Sequence, residues 1–345
     1  MNIPLPTLVQ LAQFVAGIAV LIILHEVGHF VVSKLLKVEV EEFGIGFPPR
    51  LMKLFEIGGT KFTLNWLPLG GFVRPKGEND PTIPGGLAAA RPWVRLAVLI
   101  AGPATNLLAG VVLGALLFYS LGEPVLGQVL VQEVVSGSPA EKAGLAPGDL
   151  ILAVDGEKIE SVEQLQQAIN DRLGVETQIT YKRGAAVHEI SLVPRNPPPP
   201  DQGAIGITMG YPVVPTTWSR AIPNGFVASY EYIRSVLLLP LRIFQGEVSP
   251  EEGRLVGYKG MFDLYQRLPP LWFFMVISLS LGLFNLFPIP ALDGGRIFLT
   301  LPEILLGRRV PPQFENMIHL VGFTLLLLLL IYINVQDFIN PVRIP

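Results

Sequence analysis

The chain has 345 residues, 50% of them hydrophobic and 15% charged, with a mean hydropathy of +0.50. Soluble domains carry about 25% charge, so an ordinary water-soluble globule is excluded. The net charge of −3 offers no basic face for nucleic acid, and the absence of cysteine excludes disulfides, thiol nucleophiles and thiolate metal sites. Any metal must therefore be held by carboxylates and the four histidines.

Four stretches reach the roughly 20 apolar residues that a bilayer crossing needs. The first runs from about Leu8 to Val32. Its first basic neighbour is Lys34, so it lacks the basic start of a cleaved signal peptide and reads as a retained helix. It contains His25-Glu26-Val27-Gly28-His29. On a helix, a spacing of four puts both imidazoles on one face, where they can grip one ion, with Glu26 beside them to hold and deprotonate water. Ionisable side chains at membrane depth are costly unless paired or metal-bound, so these three residues are functional candidates.

The following loop, Ser33 to Arg95, is rich in Lys and Arg. Two alternating stretches, Val38 to Phe47 and Lys61 to Trp66, flank the turn Ile57-Gly58-Gly59-Thr60 and predict a membrane-associated β-hairpin. A second span, Leu96 to Leu121, carries Gly102-Pro-Ala-Thr-Asn106. Short β-branched runs then alternate with turn signals: Gln128 to Val135, Leu150 to Val154, Gln178 to Lys182 and His188 to Val193. One amphipathic helix, Ser161 to Leu173, interrupts them with Ser161 as its cap. This is a soluble α+β insert, closed by the stiff proline run Arg195 to Pro200. His188 reads as an exposed strand residue.

The segment Gly225 to Phe244 is apolar but holds Glu231, Arg234, Pro240 and Arg242, which fits a helix lying in the interface. The third span, Leu268 to Leu292, ends in Asn285-Leu-Phe-Pro-Ile-Pro-Ala-Leu-Asp293-Gly-Gly. The fourth, Met317 to Gln336, contains His319, which reads as a bundle-interior hydrogen-bonding residue.

Lys and Arg crowd the first loop and avoid the segments before the first span and after the second, which puts that loop in the cytoplasm and the N-terminus outside. With an interfacial Gly225 to Phe244, four crossings result, and both termini and the insert lie outside. His25 and Asp293 then fall near the same cytoplasmic depth, which makes Asp293 the third ligand that a catalytic zinc requires.

These residues resemble the site-2 protease group of intramembrane zinc metalloproteases in its bacterial regulator-of-sigma-E protease form. The resemblance rests on His25 to Phe30, Pro68-Leu-Gly-Gly-Phe72, Gly102 to Asn106, the insert, and Asn285 to Gly295. It departs at Gly46-Phe-Pro48-Pro49, where the family often has Gly before Pro. It implies one Zn²⁺ held by His25, His29 and Asp293, with Glu26 as catalytic acid/base. It further implies that Asn285 helps hold substrate backbone and that Asn106 lies near the active-site cavity. The insert resembles a circularly permuted PDZ module, in which Gly203 to Ile207, with Ile205, Gly206 and Ile207, would supply a groove strand for a peptide C-terminus.

The expected fold is thus a polytopic α-helical membrane protein with four transmembrane helices, a membrane-associated β-hairpin loop and an inserted α+β PDZ-like domain. Residues 1–124, 125–210, 211–267 and 268–345 form its successive parts. The expected activity is endoproteolysis of single-pass membrane proteins in the bilayer of the inner (plasma) membrane, with trimmed anti-sigma factors or signal-peptide remnants as substrates. The competing reading is an inactive membrane PDZ scaffold or chaperone with a structural metal.

Overall fold

The computed structural model describes residues 5–199, 202–248 and 253–341. Helix α1, Leu5–Leu35, buries Phe14, Ile18, Leu21, His25 and Gly28. Those residues recur every three or four positions, which is one helical face. Leu8, Val9, Leu11, Val20 and Val31 are apolar and exposed, as a lipid-facing surface requires.

Strands β1 (Val40–Ile57) and β2 (Thr60–Pro75) form an antiparallel hairpin. Its turn residues Gly58 and Gly59 have φ of 57° and 77°, the paired positive values of a tight hairpin turn. The hairpin is longer than the two predicted strands and folds back on itself. Gly44 pairs with both Thr63 and Phe72, so residues 42–45 run between the two halves of β2 and leave Gly71 to Pro75 on an outer flank. Within it the buried Glu42 accepts from Thr63 Oγ1 at 2.8 Å and pairs with Arg50 at 2.7 Å and Arg74 at 3.2 Å, tying the curl together. The Pro48–Pro49 bond is cis. Helix α2, Pro92–Leu121, follows.

The chain separates into two compact units, one of Met1–Leu117 with Ser219–Ile344, the other of Phe118–Trp218. The second unit contains β3 (Glu123–Pro124), β4 (Val129–Val134), α3 (Pro139–Lys142), β5 (Leu150–Val154), β6 (Glu157–Lys158) and α4 (Val162–Asn170). It continues with β7 (Thr177–Arg183), β8 (Ala186–Leu192), β9 (Ile207–Gly210) and β10 (Val213–Val214). The main sheet runs β8-β7-β5-β4-β9, with β6 paired to β5, and β3 pairs with β10. Ser161 caps α4 by accepting the Gln164 N–H at 3.2 Å, as its sequence position predicts. Val129, Ile151, Leu165 and Ile179 are fully buried between sheet and helix. His188 is exposed on β8, stacked 5.4 Å from the Tyr181 ring. Residue 200 of the predicted proline linker lies outside the described residues.

Helix α5 (Trp218–Phe244), in the first unit from Ser219 on, is longer than the predicted Gly225 to Phe244, and its Tyr232 hydroxyl lies 2.6 Å from Ser280. Helices α6 (Tyr258–Tyr265), α7 (Pro270–Phe284), α8 (Asp293–Leu306) and α9 (Pro312–Ile339) complete it. Asp337 of α9, buried, accepts the N–H groups of Gly257 and Gly260 at 2.8 and 2.9 Å, capping α6 from outside its own sequence.

Among the described residues three helices, α1, α2 and α9, are long and apolar enough to cross a membrane. The predicted third span is instead the 15-residue α7, about 22 Å long at 1.5 Å per residue. It stops early because Pro288 and Pro290 lack N–H donors and disfavour helix in the residues before them. The chain re-enters a helix only at Asp293.

Candidate metal centre

The two histidines and Asp293 converge. His25 Nε2 is 3.0 Å and His29 Nε2 3.3 Å from Asp293 Oδ2, and the two Nε2 atoms are 3.1 Å apart. A tetrahedral zinc bonded at about 2.0–2.1 Å separates its ligand atoms by about 3.3 Å, so the three atoms fit three corners of such a site. Gly102 of α2 leaves the room. A Cβ there would sit 2.3 Å from His29 Nε2 and 2.7 Å from His25 Nε2.

The outer nitrogens fix which ring atoms face the centre. His29 Nδ1 donates to the Val98 carbonyl at 2.8 Å, leaving a lone pair on Nε2. His25 Nδ1 lies 3.4 Å from the Asn106 amide nitrogen, while the buried Asn106 Oδ1 has no partner among the described residues. Half a turn of that amide sets Oδ1 on the His25 Nδ1–H, pairs the orphan oxygen, and frees the second Nε2 as well. Two neutral imidazoles and a carboxylate are the donor set of a hydrolytic zinc site.

Asp293 is delivered by an irregular turn. Its successors Gly294 and Gly295 allow the chain to cross itself, since a Cβ on Gly294 would meet the Phe287 carbonyl at 2.0 Å and one on Gly295 the Ile289 carbonyl at 2.4 Å. The Gly294 N–H closes the turn onto the Asn285 carbonyl at 2.7 Å. As first residue of α8, Asp293 also sits at the positive end of the helix dipole.

Glu26 faces the same cavity, of about 360 Å³, lined also by His25, His29, Val73, Asn285 and Asp293. Its Oε2 accepts the Val73 N–H at 2.8 Å. Asn285 therefore borders the cavity, whereas Asn106 is fully buried against His25. In the other unit, Ile207 opens β9, but Ile205 is buried in the core with its carbonyl taken by the Ala140 N–H, and Gly206 has a φ of 76°. The extended stretch predicted from Gly203 thus begins only at Ile207.

Sequence reading passes over Val73, Val98 and Ala291, and names Gly102 only as part of a motif. For Val73 a signal existed, because Phe72 and Arg74 alternate with Gly71 and Val73 as strand residues do. Val98 contributes only a carbonyl, which no side-chain pattern reveals.

A helical membrane protein whose His-Glu-x-x-His helix meets a carboxylate from a second helix is of the membrane metalloprotease class. The model of Peptidase family M50 matches residues 13–329, and the chain belongs to that family of zinc metalloproteases. A protein of Clostridium perfringens named as a zinc metalloprotease is 30% identical over 329 residues, covering 93% of this chain and 96% of its own. A chloroplastic membrane metalloprotease, by name, of Arabidopsis thaliana is 32% identical over 355 residues, covering 94% and 79%. Among solved structures, the PDZ domain of an SdrC-like protein from Listeria monocytogenes aligns at 27% identity over 25% of this chain and 92% of its own, with a TM-score of 0.22.

Proposed function

We propose that the protein is an intramembrane endopeptidase that cuts single-pass membrane proteins within or near their transmembrane helix. The observation that carries this reading is the meeting of His25, His29 and Asp293 in one cavity with Glu26. One zinc ion at these three atoms would supply Lewis acidity toward the scissile carbonyl and lower the pKa of water. Glu26 takes the proton of the attacking water and returns it to the leaving amide nitrogen. A substrate helix hides its carbonyls in its own hydrogen bonds, so it must unwind first. The flank Gly71 to Pro75, beside Glu26, receives the unwound segment as an added strand. Asn285 on the cavity wall helps hold its backbone.

In this reading α1, α2, α7 and α9 form four crossings of the inner membrane, and α5 lies at its outer interface. The termini and the PDZ-like domain lie outside and the metal centre toward the cytoplasm. Trimmed anti-sigma factors and signal-peptide remnants are the substrate class, and a peptide C-terminus docks along β9 from Ile207 onward.

The test is Glu26→Gln in proteoliposomes with a single-pass substrate trimmed on its outer side. Cleavage should disappear while zinc content is unchanged. Full cleavage by that variant would overturn the assignment.

A further inference from the structure

His319 sits in the first half of α9, half-buried, with the charged side chains of Glu315, Arg296 and Glu78 in its neighbourhood. Its Nδ1 accepts the backbone N–H of Ala291 at 3.0 Å. The ring proton is therefore on Nε2, a buried donor with no partner among the described residues. A side chain that leaves one of its own polar atoms unpaired in order to satisfy a backbone N–H points to the backbone as the reason for its presence.

That backbone is unusual. Ala291 has a φ of 74°, a left-handed conformation that residues with a Cβ rarely adopt. Its N–H belongs to no helix or strand, so the His319 ring nitrogen is its acceptor in place of a backbone carbonyl. One helical turn beyond His319, Gly322 meets the preceding residue, since a Cβ there would lie 2.3 Å from Pro290 Cβ. Helix α9 thus grips two consecutive residues, Pro290 and Ala291, and the chain then runs through Leu292 into Asp293.

We propose that His319 is a positioning residue for the metal centre: its imidazole holds the left-handed turn at Ala291 and so sets the direction from which Asp293 enters. The inference rests on the metal-ligand reading of His25, His29 and Asp293.

The experiment uses the full chain in detergent, loaded with Co²⁺ for absorption spectra or with Zn²⁺ for competition with a chelator. Asparagine can place its Oδ1 where the histidine has Nδ1, whereas glutamine reaches only the Nε2 position. His319→Leu and His319→Gln should weaken zinc binding about 10- to 100-fold, the usual effect of losing a group that orients a ligand, and should shift the cobalt bands. His319→Asn should restore both toward the parent values. If His319→Gln keeps the parent spectrum and affinity, or His319→Asn is no better than His319→Gln, the inference is overturned. A parent protein that binds neither ion would instead remove the metal-centre reading, and this inference with it.

Discussion

Val73 donates its backbone N–H to Glu26 Oε2 at 2.8 Å, which joins the outer flank of the hairpin to the carboxylate assigned the proton transfers. The bond points away from the ladder that pairs Val73 with Phe43. Proline is tolerated on a sheet edge where the N–H faces outward, so Val73→Pro removes this donor with little else. A hydrogen bond to a charged group contributes about 1.5–3 kcal/mol, so turnover should fall about 10- to 150-fold with zinc content unchanged. Initial rates on a single-pass substrate, with elemental analysis of the same samples, check it. An unchanged rate would show that this bond does not hold Glu26 in its working position.

Asn106 is fully buried and touches His25 rather than the cavity. Its amide oxygen is the acceptor that fixes His25 with Nε2 toward the metal. Asn106→Leu keeps the volume and deletes the acceptor, and should weaken zinc binding about 10- to 100-fold. Asn106→Asp keeps an acceptor and should retain the ion. Chelator competition separates the two variants, and equal affinities would assign Asn106 to helix packing alone.

The crossing at Gly294 has no slack. The atoms nearest a Cβ there are backbone, the Phe287 carbonyl oxygen at 2.0 Å and the Leu286 carbonyl carbon at 2.5 Å, so the turn itself must move. Gly294→Ala should cost about 1–3 kcal/mol or more and carry Asp293 out of reach of the histidines. Gly307→Ala is the contrast. That glycine has a φ of 65°, and a Cβ there would meet nothing within 4 Å among the described residues, so alanine meets only backbone strain of about 1–2 kcal/mol. Zinc content should collapse in the first variant and hold in the second, as measured per mole of folded protein.

The parts of this architecture visible in the sequence were those whose cause is local. His25 to His29 lie within one turn of a helix, Ser161 is adjacent to the helix it caps, and the Gly58-Gly59 turn carries its own conformational requirement. Asp293 was reachable because proline and glycine mark broken helix at a calculable depth. Hydropathy carries the third span through Leu286 and Ile289 to Leu292, whereas the helix itself ends at Phe284, ahead of the prolines that the sequence marks as its breakers. The sequence did not reveal the links of Val73 to Glu26, Val98 to His29 and His319 to Ala291. Each joins a backbone group to a side chain from 28 to 69 residues away, and backbone groups carry no sequence signature.

The PDZ-like unit has its own acid-sensitive joint. Asp149 is 1% exposed and accepts from Arg183 Nε and an Arg183 terminal nitrogen, both at 2.7 Å, and from the Ala146 N–H at 2.8 Å. Burial pushes its carboxyl up, but the Arg183 guanidinium and the Ala146 N–H outweigh burial and hold it below the usual aspartate value. A depressed folded-state pKa stabilises the fold above the unfolded-state value, about 3.9, and that contribution is lost as pH falls through the folded-state value. Arg183 is half-exposed, so solvent screens its side of the pair, and Arg183→Met should lower the thermal midpoint at neutral pH. The gap between parent and variant should be flat from about pH 7 to pH 5 and narrow below about pH 4. Thermal unfolding of the full chain, followed by circular dichroism at several pH values, measures it. A gap that persists undiminished in acid would mean that Arg183 stabilises the strand through its stacking on Tyr181, whose ring centroid lies 5.2 Å from the guanidinium, and not through its charge.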